Sequence, residues 1–273
     1  MTYRSFTFVL CCTATAAFAP GCASSGNKNV AEQATEAAAE MLLPVSEENK
    51  LGEQMSAELA KELTLHPDPE VQAYVRALGA QVVAAANDVP EGITFTFHVV
   101  KDDETVNAFA IPGGHIYIYT GLMRLAEDEA ELVSVLGHEV AHVTKRHIAQ
   151  RLVGAYGYTT LLQLALGEEP GLLGEIVGGV VTNGLMLKHG RDHERHADTH
   201  GIRYTVGAGY DPHGFVRMFE RMKSAGDMEA LEIFMTHPLP QERADRIALV
   251  LTQQKSPPTK RNAEPYAAMK AKL

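Results

Sequence analysis

The chain reads as an α+β fold, mainly α, with a small antiparallel β-sheet beside one central helix. Two observations predict this. Apolar residues recur at helical spacing through most of the length, while strand patterns are confined to residues 93–119. Within that stretch, Pro112-Gly113-Gly114 joins two short strands just ahead of the central helix.

Bulk properties narrow the chemistry. The 273 residues suffice for one good-sized domain or two small ones, and 45% hydrophobic content supports a core. A formal net charge of -10 offers no basic field for phosphates, so nucleic acid is not an expected partner. All three cysteines, Cys11, Cys12 and Cys22, precede the folded body. That body therefore has no internal disulfide and no thiolate, and any metal in it must be held by His, Asp or Glu. Of the 12 histidines, seven fall between His138 and His200.

Residues 1–21 read as a secretion signal, with Arg4 as their one charge and an apolar run too short to span a membrane. Ala19-Pro20-Gly21-Cys22 is similar to a bacterial lipoprotein box, so Cys22 is the expected lipidated N-terminus. Cleavage there deletes Arg4 and takes the formal charge from -10 to -11. The Ala/Ser-rich residues 22–45 suit a tether. The expected domain spans 46–255, and a basic, Pro-broken tail, 256–273, is expected to be loosely held.

Ser46-Glu47-Glu48-Asn49 starts a helix that runs to about Leu63. Pro67 and Pro69 punctuate, and a second helix passes through Tyr74, Leu78 and Val82. From Ile93 to Val100, Ile93, Phe95, Phe97 and Val99 alternate with Thr94, Thr96 and His98, which is strand patterning. Asn107–Ile111 and His115–Tyr119 form a hairpin about the Pro-Gly-Gly turn.

The central helix follows. Leu132, Val133, Val135, Leu136, Val140 and Val143 mark its apolar side, and Glu127, Asp128, Glu129 and Glu131 favour its N-terminus. Inside it lies His138-Glu139-Val140-Ala141-His142, the H-E-x-x-H pattern. Positions four apart share a helix face, so His138 and His142 aim two imidazoles at one ion, and Glu139 sits where its carboxylate reaches a bound water. Burying three polar groups in an apolar helix is costly unless something satisfies them. Zinc peptidases bind substrate as an added strand on a sheet edge beside this helix. The hairpin residues Asn107, Ala108, Phe109 and Ala110 are the substrate-binding candidates.

Residues 153–188 are glycine-rich and apolar, and predict short helices with a mobile loop near the site. Residues 191–207 form another helix, on which Glu194 and Asp198 share a face. Pro212 marks a helix start, and Phe215, Met218, Phe219 and Met222 are the apolar face of the helix that follows. Thr236–Pro240 is a loop, and a last helix covers about Gln241 to Leu251.

The third ligand stays open at this level. The metzincin extension is absent, because Lys145 and Ile148 stand where it needs Gly and His. His147 is one residue off and is expected to point away from the dyad. A carboxylate from a separate helix remains, Glu194, with Asp198 to hold a ligand imidazole by its other nitrogen. His196 and His200, also four apart, are a rival pair.

These residues carry a resemblance. The chain resembles the HtpX-type and CAAX-prenyl-protease-type zinc endopeptidases (peptidase family M 48), most closely their periplasmic lipoproteins. The marks, in order, are Leu51-Gly52, Asn107-Ala108-Phe109-Ala110 with Pro112-Gly113-Gly114, Thr120-Gly121-Leu122 and Gly137 to Val143. Then come Glu194-Arg195-His196-Ala197-Asp198 with Gly201, Ala208 to Pro212, and Thr236-His237-Pro238. The resemblance implies a zincin-type metalloprotease domain holding one Zn2+ per chain through His138, His142 and Glu194. Glu139 is then the catalytic base and Asp198 the support behind a ligand. His196 departs from the family's frequent second glutamate, which leaves ligation intact and changes local charge. His237, by the same resemblance, approaches the metal and blocks or tunes it. The implied setting is quality control of envelope proteins on the periplasmic face of the outer membrane, with its assembly machinery as a partner. The rival function is a zinc-containing chaperone or assembly factor that cuts little.

Overall fold

Two helices lead the chain, and each begins for a local reason. The computed structural model describes residues 43–183, 189–224, 233, 236, 237, 241–253 and 256–273. Helix α1, Val45–Glu62, carries Glu47 and Glu48 in its first turn and Lys61 in its last, matching the helix dipole. Helix α2, Pro69–Ala85, opens on a proline, and the Asp68 side chain accepts from the Glu70 amide. The proposed signal, Cys22 and nearly all of the tether lie outside the described residues.

Three strands follow: β1, Thr96–Val100, β2, Ala108–Ile111, and β3, His115–Tyr119. The hairpin closes as expected, with β2 antiparallel to β3 and Gly113 and Gly114 at φ 77° and 90° in its turn, where a side chain is disfavoured. The sheet as a whole is mixed, not purely antiparallel. Its order is β1-β3-β2, and β1 runs parallel to β3. Alternation reveals a strand but not its neighbour, and the β1–β2 connection places β2 on the far side of β3. Strand β2 is thus an edge by pairing, yet all four of its residues are buried.

A short helix α3, Thr120–Leu125, leads into α4, Glu129–Thr144, where every residue is buried. Asp128 caps α4 by accepting from the Glu131 amide. The acidic N-terminus is buried as well, and its charges are met. Arg217 and Arg261 reach Asp128, Arg221 reaches Glu131 at 2.8 Å, and Tyr74 and Tyr210 each donate to Glu129 at 2.7 Å.

The glycine-rich stretch forms α5, His147–Tyr156, α6, Tyr158–Ala165, and α7, Pro170–Asn183. The last residues of that stretch, 184–188, lie outside the described residues. Helices α8, Arg191–Gly207, α9, Gly214–Ser224, α10, Gln241–Thr252, and α11, Ala263–Lys270, complete the chain. Among the described residues no helix is long and apolar enough to cross a membrane.

The tail departs from expectation. It is not loosely held: Tyr266 is fully buried and donates to the Met123 carbonyl at 2.6 Å. Arg261 and Asn262 bind Asp128 and Glu129, each at 2.6 Å. Its basic and polar residues answer the buried acids of α4, a long-range pairing that local composition does not reveal.

Helices α4 and α8 cross at Gly137 and Gly201. A Cβ on Gly201 would lie 2.9 Å from the His138 amide nitrogen and 3.0 Å from the Gly137 carbonyl carbon. Glycine at both positions lets the two backbones touch, which sets the HExxH face against the face carrying Glu194 and Asp198.

Candidate metal centre

His138 and His142 project from α4 one turn apart, and their Nε2 atoms lie 3.0 Å from each other. Glu194, from the first turn of α8, comes 3.5 Å from His138 Nε2 and 3.4 Å from His142 Nε2. His237, which precedes α10 in the chain, brings its Nδ1 within 3.3 Å of His138 Nε2 and 3.0 Å of Glu194, and 238–240 of the expected loop lie outside the described residues. One donor atom from each of the four lies within 4.8 Å of every other, and all four residues are buried. A tetrahedral ion with bonds of ~2.05 Å spaces its donors by roughly 3.3 Å. The observed separations bracket that value, and a set of imidazole nitrogens with one carboxylate suits Zn2+. These residues therefore fit the metal that the resemblance implies.

Glu139 flanks the group. Its Oε2 is buried with no hydrogen-bond partner among the described residues, and its Oε1 lies 3.4 Å from His237 Nε2. Burial pushes its carboxyl above the usual carboxylate range, against the pull of His237 and His138. Glu194 goes the other way. Burial opposes its charge, but His237 and Arg243 outweigh that and hold it well below the ordinary value.

Asp198 Oδ1 sits 3.1 Å from His138 Nδ1, on the side of the ring away from the donor cluster. It is held in turn by Arg243, whose Nε and Nη2 donate to its two oxygens at 2.9 and 2.7 Å. The Arg243 Nη1 reaches Glu194 at 2.5 Å. Arg243 thus joins the carboxylate among the donors to the carboxylate behind them. Sequence reasoning missed it, although a signal existed. Arg243, Ile247 and Leu251 fall at i, i+4 and i+8, and all three are buried, so the charge stands in an apolar stripe.

His147 was expected to face away from the dyad. Instead its Nδ1 meets His142 Nδ1 at 3.0 Å, and its Nε2 meets His196 Nδ1 at 3.2 Å. Helix α4 ends at Thr144, and Arg146, with φ 54°, turns the chain before α5 begins. The helical projection used for His147 does not survive that break. The His189 ring packs against His142 at 3.8 Å between centroids, tilted by 31°, and its amide donates to the Thr236 carbonyl at 3.0 Å. His196 lies behind His147, outside the donor cluster. His200 lies further out, with its Nδ1 3.2 Å from Asp88.

Asn107, Ala108, Phe109 and Ala110 lie at the sheet edge and are buried. Two residues before this strand, the Val106 carbonyl accepts from the Ile233 amide at 3.3 Å.

Comparison with known proteins agrees with this geometry. The description Peptidase family M48 matches residues 69–249. The chain is 31% identical over 216 residues to the beta-barrel assembly-enhancing protease of Escherichia coli (strain K12), covering 74% of this chain and 43% of that protein. Its counterpart in Yersinia pestis is 32% identical over 232 residues, covering 80% and 46%. The mitochondrial metalloendopeptidase OMA1 of Schizosaccharomyces pombe is 30% identical over 176 residues, covering 64% and 51%. The chain spans less than half the length of the first two relatives.

Proposed function

Because the chain belongs to peptidase family M48, we propose that it is a zinc-dependent endopeptidase that hydrolyses peptide bonds of misfolded or unassembled envelope proteins. The observation that carries this reading is the buried donor cluster of His138, His142, Glu194 and His237, with the unpartnered carboxylate oxygen of Glu139 beside it.

In this reading His138, His142 and Glu194 hold the metal. Bound there, zinc supplies Lewis acidity toward the scissile carbonyl and lowers the pKa of a water. Glu139 takes the proton from that water and delivers it to the leaving amine. Burial pushes its carboxyl upward, which favours its accepting a proton. Asp198 fixes the tautomer and tilt of His138 through Nδ1, and Arg243 fixes Asp198. The substrate lies extended along Asn107 to Ala110, its backbone continuing the sheet. His237 stands where a fourth donor would, so it gates the site.

The envelope setting draws support from two sources. Two of the relatives are named as beta-barrel assembly-enhancing proteases. The N-terminal residues read as a lipoprotein signal, which supports a lipid on Cys22 and a setting on the periplasmic face of the outer membrane. Assembly machinery of outer-membrane proteins is then a natural partner. One observation favours the second reading, a chaperone with latched proteolysis: His237 already sits among the donors. Digestion of casein or an unfolded porin, with and without chelator, separates the two. The hydrolytic reading expects cutting that the chelator abolishes and zinc restores, and that Glu139→Gln lacks. Chelator-resistant cutting, or none, overturns it.

A further inference from the structure

Strand β1 is the second edge of the sheet, across β3 from β2. Its last residues are paired. The Val99 carbonyl accepts from the His66 amide at 2.8 Å and from Gln72 Nε2 at 2.9 Å, and the Val99 amide donates to Gln72 Oε1 at 3.0 Å. Leu65 bridges Val100 in antiparallel sense, and the chain then leaves the edge at Pro67 for α2. Alternate residues of a strand turn their backbone polar groups to the same side. Phe97 therefore turns its N–H and C=O away from β3, as Val99 does, and neither has a hydrogen-bond partner among the described residues. Because Gln72 of α2 meets the outward groups of Val99, those of Phe97 point into the open groove between α2 and β1. Arg76, Ala80, Val83 and Ala84 form one side of this groove, and residues 95–98 form the other. Arg76, Ala80 and Ala84 recur four apart on one helix face and are exposed. Arg76 makes no ion pair among the described residues, while Thr96 and His98 bond to each other at 3.1 Å.

We propose that this groove binds an extended, acidic segment of unfolded polypeptide as a strand added to β1. None of its lining residues belongs to the metal centre or to β2, so it is a second polypeptide site, and it needs neither zinc nor hydrolysis. Three arguments carry it. A donor and an acceptor on one edge residue are matched together by one residue of an antiparallel strand, which exchanges both bonds. The chain itself pairs that edge at Leu65 and abandons it at Pro67, which has no N–H to give, so the unpaired groups begin where its own segment stops. The groove wall then sets the side chains. Ala80 and Ala84 leave room beside Val83 for apolar groups of the added strand. Arg76 is the formally charged residue in the lining, so it favours a carboxylate and repels lysine or arginine.

Amide hydrogen exchange tests this directly. The full chain carrying Glu139→Gln, or wild type in chelator, is mixed with a ten-residue valine–threonine peptide that contains one glutamate. Exchange of the Phe97 amide should slow about tenfold or more at saturation, whereas the Val99 amide, already bonded, should not change. Fluorescence anisotropy gives the affinities. The same peptide N-methylated at alternate residues should lose binding, and lysine in place of its glutamate should weaken binding about 3- to 10-fold at low salt. Arg76→Glu should reverse that preference, and Ala80→Trp should fill the groove and remove the protection of Phe97. Both positions are exposed, and the wild-type exchange pattern decides the matter even if a variant folds poorly. Peptide binding that leaves Phe97 exchange unchanged overturns the proposal, as does equal affinity for the N-methylated peptide. Protection of Phe97 that rises with protein concentration and without peptide gives the edge to a second copy of the chain and overturns the proposed occupant. No cutting enters the measurement, so its failure leaves the hydrolytic reading standing.

Discussion

Gly137 and Gly201 meet backbone to backbone where α4 crosses α8, and this contact sets the distance between the HExxH dyad and Glu194. A methyl group on Gly201 would press on the Gly137 carbonyl and the His138 amide at 2.9 to 3.1 Å. Those are backbone atoms of a fully buried helix, so they cannot swing aside. Overpacking of this kind costs about 1–3 kcal/mol. Gly201→Ala should lower the melting temperature by several degrees. It should also reduce zinc per chain after gel filtration in zinc-free buffer, because the helices part at the metal donors. Wild-type melting and full metal content would show that the crossing has slack.

His147 lies behind His142 with 3.0 Å between their Nδ1 atoms. With His142 Nδ1 as the donor and His147 Nδ1 as the acceptor, the lone pair of His142 Nε2 is left facing the donor cluster. Loss of such a partner typically costs about 10–100-fold in metal affinity or activity. His147→Ala should therefore weaken zinc in a chelator competition by that order. His196→Ala, one residue further from the cluster, should weaken it much less. Equal affinities for wild type and His147→Ala would reduce His147 to packing.

The helix and its dyad were legible because a period of 3.6 and an i,i+4 spacing are local. Glu194 and Asp198 were legible only as two carboxylates sharing a face, and the family resemblance chose them over His196 and His200. What stayed hidden is what depends on distant pairing. The insertion of β3 between β1 and β2, the docking of Tyr266 under α3, and Arg243 between Glu194 and Asp198 all join residues far apart in sequence. His147 was misjudged for a different reason. One residue in left-handed conformation, Arg146, ends the helical projection just before it.

Zinc binding should depend on pH with a definite sign. In the metal-free protein, burial favours neutral His138, but Asp198 and Glu194 prevail and raise its pKa to about 10. His142 is pushed down to about 3, chiefly by burial, and is neutral. Near neutrality the metal must therefore displace one proton, the one on His138. Affinity should rise about tenfold per pH unit while that proton is present, so roughly 100-fold between about pH 6 and 8. A chelator competition across that range measures the slope, and a flat profile would mean that His138 is already neutral.

The last prediction concerns His237 and Glu139 together. His237 Nδ1 lies 3.3 Å from His138 Nε2 and 3.0 Å from Glu194, while its Nε2 lies 3.4 Å from Glu139. A catalytic zinc site keeps one position open, and a fourth protein donor closes it. His237→Ala should thus raise the rate of casein hydrolysis and leave zinc content nearly intact, since His138, His142 and Glu194 remain. Glu139→Gln should keep zinc and fold but lose roughly two or more orders of magnitude in rate, because an amide cannot accept the water proton. The double variant should be as inactive as Glu139→Gln alone, since opening the site gains nothing without the base. A fall in rate for His237→Ala, with metal and fold retained, would assign His237 to the transition state and remove its role as a gate.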